Sequence, residues 1–170
     1  MLRVAQFTWW PLLTGALLIT DLLVKSWATQ TLPAQPLQPI VPGLLNLTYT
    51  LNEGMAWGLL DTLPVPLAAL RLLVGLVLIA VLVTFTHAPA RALALSLIAA
   101  GALSNAIDGL TGGAVVDYLS SPLLDAAHRA ITGRNFPIFN GADVLVLAGV
   151  LLLLLTLPRS RSHHATQETP

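Results

Sequence analysis

Six polar residues stand inside or beside long runs of Leu, Val and Ala: Asp21, Lys25, Asn105, Asp108, Asp117 and Asp143. An ionisable group in a membrane helix costs about 2.5–3.5 kcal/mol on insertion scales, so each needs a reason to be there. Asp21 and Lys25 are four apart and share a helix face. They read as a neutralised pair with Lys25 reaching outward to the interface, or as a frame that orients neighbouring site residues. Asn105 and Asp108 also share a face, beside the small residues Gly101, Ala102 and Ser104. They read as interhelical hydrogen bonding, or as support for a nearby catalytic acid. Asp117 and Asp143 differ in having no cationic neighbour in sequence. Two carboxyls brought together cannot both ionise readily, so one pKa rises and the pair becomes a general acid and base for hydrolysis. The structural alternatives are a first-turn carboxylate on a helix dipole for Asp143 and a turn residue for Asp117. Spacing alone leaves both open.

Other chemistries find no support. The chain has no cysteine, which removes disulfides, thiolate metal sites and Cys nucleophiles. Its four His (His87, His128, His163, His164) are scattered and no H-E-x-x-H occurs, so no zinc site is expected. Lys25 and Ser26 are adjacent and point apart on a helix, and Ser104 has no His partner in any recognisable motif. No phosphate-binding Gly loop and no organic cofactor motif is present.

These residues must be positioned by membrane elements. Of 170 residues, 55% are hydrophobic and 9% charged, where a soluble domain carries about 25% charge. Eight Lys+Arg balance eight Asp+Glu, leaving no basic excess to hold nucleic acid. Four stretches approach the roughly 20 apolar residues that a bilayer requires: about Trp9 to Ala28, Val65 to Phe85, Ala92 to Leu110, and Phe139 to Leu157. Pro64 and Pro66 mark the start of the second and Pro158 the end of the fourth. The first stretch is too long, and too interrupted by Asp21 and Lys25, for a cleaved signal peptide. Four spans place both termini on one side. Arg3, Arg91, Arg159 and Arg161 favour the cytoplasm for that side over Arg129 and Arg134 opposite. Lys25 and Arg71, placed near the outer interface, even out the count.

The outer connections, 29–64 and 111–138, are long. Leu45 to Asn52 alternates strictly: Leu45, Leu47, Tyr49 and Leu51 face one way, and Asn46, Thr48, Thr50 and Asn52 the other. That is the pattern of a half-buried strand. With the β-branched pair Val115-Val116 it predicts a small sheet on the outer membrane face. The expected whole is an all-α membrane protein, a four-helix bundle with a small extracytoplasmic sheet. It forms one domain over 1–158, followed by a polar, disordered tail at 159–170.

Five motifs in order resemble those of the lipoprotein signal peptidases (signal peptidase II). Asp21-Leu22-Leu23-Val24-Lys25 is similar to the family's D-x-x-x-K, and Asn52-Glu53-Gly54-Met55-Ala56-Trp57 to N-x-G-A-A-F. Gly101-Ala102-Leu103-Ser104-Asn105-Ala106-Ile107-Asp108 is similar to G-A-L-G-N-x-x-D-R. Val115-Val116-Asp117-Tyr118 is close to V-V-D-F, and Phe139-Asn140-Gly141-Ala142-Asp143 matches F-N-x-A-D. The resemblance implies an intramembrane aspartyl protease of the bacterial inner membrane. Its site faces the outer side, and it removes signal peptides on the amino side of a diacylglyceryl-modified cysteine. Asp117 and Asp143 carry over as the catalytic pair. Asn52, Gly54, Asn105, Asp108 and Asn140 carry over as binding or support positions, and Asp21 and Lys25 as site-shaping residues. No metal or cofactor is implied. The expected partners are a lipidated prolipoprotein and membrane lipids, with the enzyme a monomer; Asn52 and Asn140 are expected to hold the extended peptide by their amides.

Three departures stand out. Gly109 occupies the place of an Arg, for which Arg71 or Arg134 is a candidate replacement. Ser104 replaces Gly. The segment from Asp117 to Asp143 is longer than usual and holds Asp125, Arg129 and Arg134. The competing readings are an inactive relative, a scaffold whose polar groups only join helices, and a proton-coupled transporter. A transporter would spread acids through the membrane depth and show repeated halves.

Overall fold

The computed structural model describes residues 9–54, 63–85 and 88–157. Met55, Trp57, His87, Pro158 and the tail 159–170 lie outside the described residues, as do Arg3, Arg159 and Arg161. The elements run α1 (Trp10–Thr31), β1 (Gln38–Val41), β2 (Leu45–Asn52), α2 (Pro64–Phe85), α3 (Pro89–Gly112), β3 (Val115–Ser120), α4 (Pro122–Thr132) and α5 (Gly141–Leu155). Proline opens α1, α3 and α4, where its missing N–H costs nothing. Thr14, Thr20, Thr29 and Thr84 return their hydroxyls to the carbonyl one turn back, which satisfies them within apolar helices.

Among the described residues, three helices, α1, α2 and α3, are long and apolar enough to cross a membrane. The fourth stretch is shorter than its apolar run. Phe139 is drawn into a bridge with Leu119 and Asn140 caps the helix, so α5 begins at Gly141 and has 15 residues.

Packing is inside-out. α3 lies at the centre, in contact with α1, α2 and α5, and buries mostly small residues: Ala92, Ala99, Ala100, Gly101, Ser104 and Ala106. Gly101 permits the closest approach, since a Cβ there would run into the Ala142 carbonyl and come 2.8 Å from Val146 Cγ2. Small residues at such crossings are how membrane helices associate. The large side chains point outward instead, as with Leu23 on α1, Leu73 and Val77 on α2, and Leu147 and Leu151 on α5. That surface would be a liability in water and costs nothing against acyl chains.

The sheet is three-stranded and antiparallel in the order β1-β2-β3. β2 has the predicted bounds, and Leu47 and Tyr49 pack on a cluster of Ala28, Leu32 and Tyr118 that fastens the sheet to the end of α1. The alternation is incomplete. Asn46 is buried while Leu51 is exposed, and the ladder shifts register between Leu47 and Thr50, between these two positions. Strand β1 and helix α4 were not anticipated. The prolines of 33–42 obscured the first, although Pro39 is tolerated on an edge strand. The second lies in the long segment between Asp117 and Asp143, around Asp125 and Arg129.

Candidate active site

Asp117 sits in β3 opposite Thr50, and Asn52 lies opposite Val115 on the neighbouring strand. A strand position, not a turn, therefore presents this carboxyl. Asp143 is the third residue of α5 and belongs to a capping box: Asn140 Oδ1 accepts from the Asp143 N–H (2.9 Å), and Asp143 Oδ2 accepts from the Asn140 N–H (3.1 Å). The helix-dipole role and the site role fall on the same side chain.

One residue ties the two acids together. Asn140, fully buried, donates from Nδ2 to Asp117 Oδ1 (2.7 Å), to Asn105 Oδ1 (3.2 Å) and to the Val116 carbonyl (3.2 Å). Asn52 Nδ2 donates to the other oxygen, Asp117 Oδ2 (3.0 Å). Asn105 Nδ2 donates to Asp143 Oδ1 (2.9 Å). Both acids thus receive two N–H donors and lie within electrostatic range of each other. Burial lifts the Asp117 carboxyl from its usual range to about 6. The Asn52 donor opposes this rise, the negative charge of Asp143 adds to it, and the Asn140 donor and the Lys25 charge resist it. Asp117 is 2% exposed.

Behind the acids is an ionic frame. Lys25 Nζ contacts Asp21 Oδ2 (3.3 Å) and Asp108 Oδ2 (2.8 Å), and donates to Ser104 Oγ (3.1 Å) and Asn105 Oδ1 (2.7 Å). The expected pair with Asp21 is present, but Lys25 does not reach outward: it is 2% exposed, because four oxygen partners hold it inside. Ser104 Oγ donates to Asp21 Oδ2 (2.5 Å). Asp108 also accepts from the Val116 N–H (3.2 Å), fixing β3 next to Asp117. Ser104, read from sequence only as a small packing residue, closes this frame. Its spacing of four from Asp108 was the available signal.

Two glycines allow the assembly to close. A Cβ on Gly141 would lie 2.5 Å from Asp21 Oδ1 and 2.8 Å from the Tyr118 hydroxyl. Tyr118 accepts the Gly141 N–H (3.0 Å). Burial, with the nearby Asp21 charge, pushes its phenol up to about 12, so it remains protonated. A Cβ on Gly109 would lie 2.8 Å from Ala68 Cβ, so position 109 is where α2 and α3 touch. The guanidinium near the acids comes from α2 instead. Arg71 Nη2 donates to the Gly54 carbonyl (3.0 Å), and Gly54 N–H donates to Asn52 Oδ1 (3.1 Å). Arg134 is exposed and does not line the site.

Asn52, Arg71, Asn105, Asp117 and Asp143 form the polar end of a cavity of about 600 Å³. Its remaining walls are apolar: Leu67 and Val74 from α2, Ile98 from α3, Val146 and Val150 from α5, and the segment Phe136–Phe139. Asn140 is absent from this lining. It is fully buried and its amide donates to Asp117, Asn105 and Val116, an arrangement that fits the support role among the two expected of it. Asn52 does line the cavity, but its amide is likewise committed to Asp117. Among the described residues, no group of three or more His, Cys, Asp or Glu is gathered as a metal site.

The family model described as signal peptidase (SPase) II matches residues 13–159. The chain belongs to the signal peptidase II family. It is 42% identical to a lipoprotein signal peptidase of Deinococcus radiodurans over 94% of this chain and 86% of that one. It is 36% identical to one of Synechococcus over 89% and 96%. A bacterial membrane enzyme solved by the in meso method at 1.9 Å resolution superposes with a TM-score of 0.75 at 27% identity, over 95% of this chain and 99% of that one. This member of the signal peptidase II family is accordingly a peptidase built on apolar helices.

Proposed function

We propose that the chain is an intramembrane aspartic endopeptidase that removes signal peptides from diacylglyceryl prolipoproteins, cutting on the amino side of the lipidated cysteine. The observation that carries this reading is the joining of two carboxyls, from β3 and α5, by the buried Asn140 at the polar end of an otherwise apolar cavity. The pair Asp117 and Asp143 shares one proton. The ionised acid takes a proton from water, whose oxygen attacks the scissile carbonyl carbon, while the protonated acid hydrogen-bonds to the carbonyl oxygen. The tetrahedral gem-diol then collapses: the C–N bond breaks and a carboxyl gives its proton to the leaving amine. Asn105 and Asn140 hold the acids. Lys25, Asp21, Ser104 and Asp108 fix the helices that carry them, and Arg71 holds the Gly54 turn beside Asn52. The apolar walls take acyl chains, whose binding energy positions the peptide bond.

The enzyme forms one membrane-embedded domain over 1–158, with α5 as a fourth span. Both termini are cytoplasmic and the site lies toward the outer face of the bacterial inner membrane. It acts as a monomer, a reading supported by the origin of both acids and all their partners in one chain. The test is incubation of purified protein with a prolipoprotein precursor, with and without its diacylglyceryl group, followed by gel mobility. Cleavage of the lipidated form alone is expected. Equal cleavage of both forms, or of neither, would contradict the reading.

A further inference from the structure

Helix α4 is amphipathic in the reverse sense to that of a soluble protein. Leu123, Leu124, Ala127 and Ile131 form one face and Asp125, His128, Arg129 and Thr132 the other, as 3.6-residue periodicity places them. The polar face pairs with the loop that follows the helix, Arg129 remaining exposed. Asp125 Oδ1 accepts from the Phe136 N–H (2.9 Å), His128 Nδ1 pairs with the Arg134 carbonyl (2.8 Å), and Arg129 donates to Asn135. The apolar face is bare: Leu123 is 58% exposed and Ile131 85%. The segment gripped by the polar face leads straight into Phe136–Phe139, a wall of the cavity. The next element, α5, exposes Val144 and Leu147 at its outer end.

We infer that α4 is an interfacial helix whose Leu123–Ile131 face is sunk in the outer lipid leaflet, anchoring the cavity wall at 136–139. The exposure of Leu123, Leu124 and Ile131 together on one face of a chain whose bundle also presents large apolar side chains outward favours acyl chains as the occupant. So does charge: Arg129 and Arg134 on the polar side meet the level of lipid phosphates, the usual arrangement of such helices. This goes beyond the proposed peptide cleavage, requires no activity to test, and rests only on the bundle being in a bilayer.

The absence of cysteine makes single-Cys nitroxide labelling direct. The full chain, in phosphatidylglycerol/phosphatidylethanolamine vesicles, carries a label at Leu123→Cys, Ile131→Cys, Arg129→Cys or Leu151→Cys, and collisions with oxygen and with a nickel chelate are compared. Labels at 123, 131 and the bundle control 151 are expected to favour oxygen several-fold, with 129 favouring nickel. Nickel access at 123 and 131 equal to that at 129 would overturn the inference. Shielding of both from both reagents would overturn it in favour of a covering protein or second copy. Failure of the control at 151 would overturn the bilayer placement itself, and the inference with it.

Discussion

Replacing Asn140 by serine separates two jobs that this residue performs. Serine caps a helix about as well as asparagine, so α5 keeps its start, whereas alanine would cost about 1 kcal/mol more. What serine cannot replace is the Nδ2 donor 2.7 Å from Asp117 Oδ1. A hydrogen bond to a charged group contributes about 1.5–3 kcal/mol, equivalent to roughly one to two pH units at 1.36 kcal/mol per unit. An amide donor favours the anion, so without it the acid pair holds its last proton more tightly. Asp117, already lifted to about 6 by burial, moves higher still. The alkaline limb of kcat/KM for lipidated precursor therefore shifts upward by about one pH unit or more in Asn140→Ser, and the unfolding midpoint in detergent falls, because the bonds to Asp117, Asn105 and Val116 are lost from a buried site. A limb that moves down, or an activity loss uniform across pH, would refute this chain of reasoning.

Three further outcomes follow from the packing and the charges. Lys25→Met strands Asp21 and Asp108 inside the bundle and should cost about 3–5 kcal/mol of stability in chemical unfolding, much of it recovered when Asp21→Asn and Asp108→Asn are added. Gly109→Arg, which restores the residue usual in the family, should lower the unfolding temperature without raising activity, because its Cβ meets Ala68 at 2.8 Å and overpacking costs about 1–3 kcal/mol. Asp117 binds its proton more tightly folded than at its ordinary value of 3.8. Its contribution is thus fully present below that value and is lost as pH rises through about 6. Asp117→Asn should accordingly be more stable than the parent at pH 7, by up to about 3 kcal/mol, and not at pH 4, as thermal melts at the two pH values would show.

The sequence announced its polar groups because each is costly in an apolar helix, and β2 because alternation has a period that nothing else mimics. It did not say how those groups pair. Lys25 read as reaching outward, since a single helix reveals only its own i+4 neighbours, while Ser104, Asn105 and Asp108 come from α3. Asn140 read as either a binding or a support position, since its burial depends on β3 and α3 closing over it. Arg71 was one of two candidates to replace the missing Arg; its place in the cavity wall depends on the packing of α2, and its bond goes to a backbone partner, the Gly54 carbonyl, that residue type does not reveal. Helix α4 was legible in principle: Ser121, whose side chain accepts the Leu124 N–H, precedes Pro122 and a segregated apolar face. The pairing of its polar residues with residues 134–136 depends on the path of the loop that follows it.

The most direct test of the central claim is cleavage of diacylglyceryl prolipoprotein by Asp117→Asn and Asp143→Asn, each purified in the folded, inserted state and compared with the parent chain. Each single change should remove processing altogether, since one carboxyl alone can no longer share a proton. Normal processing by either variant would contradict the shared-proton mechanism.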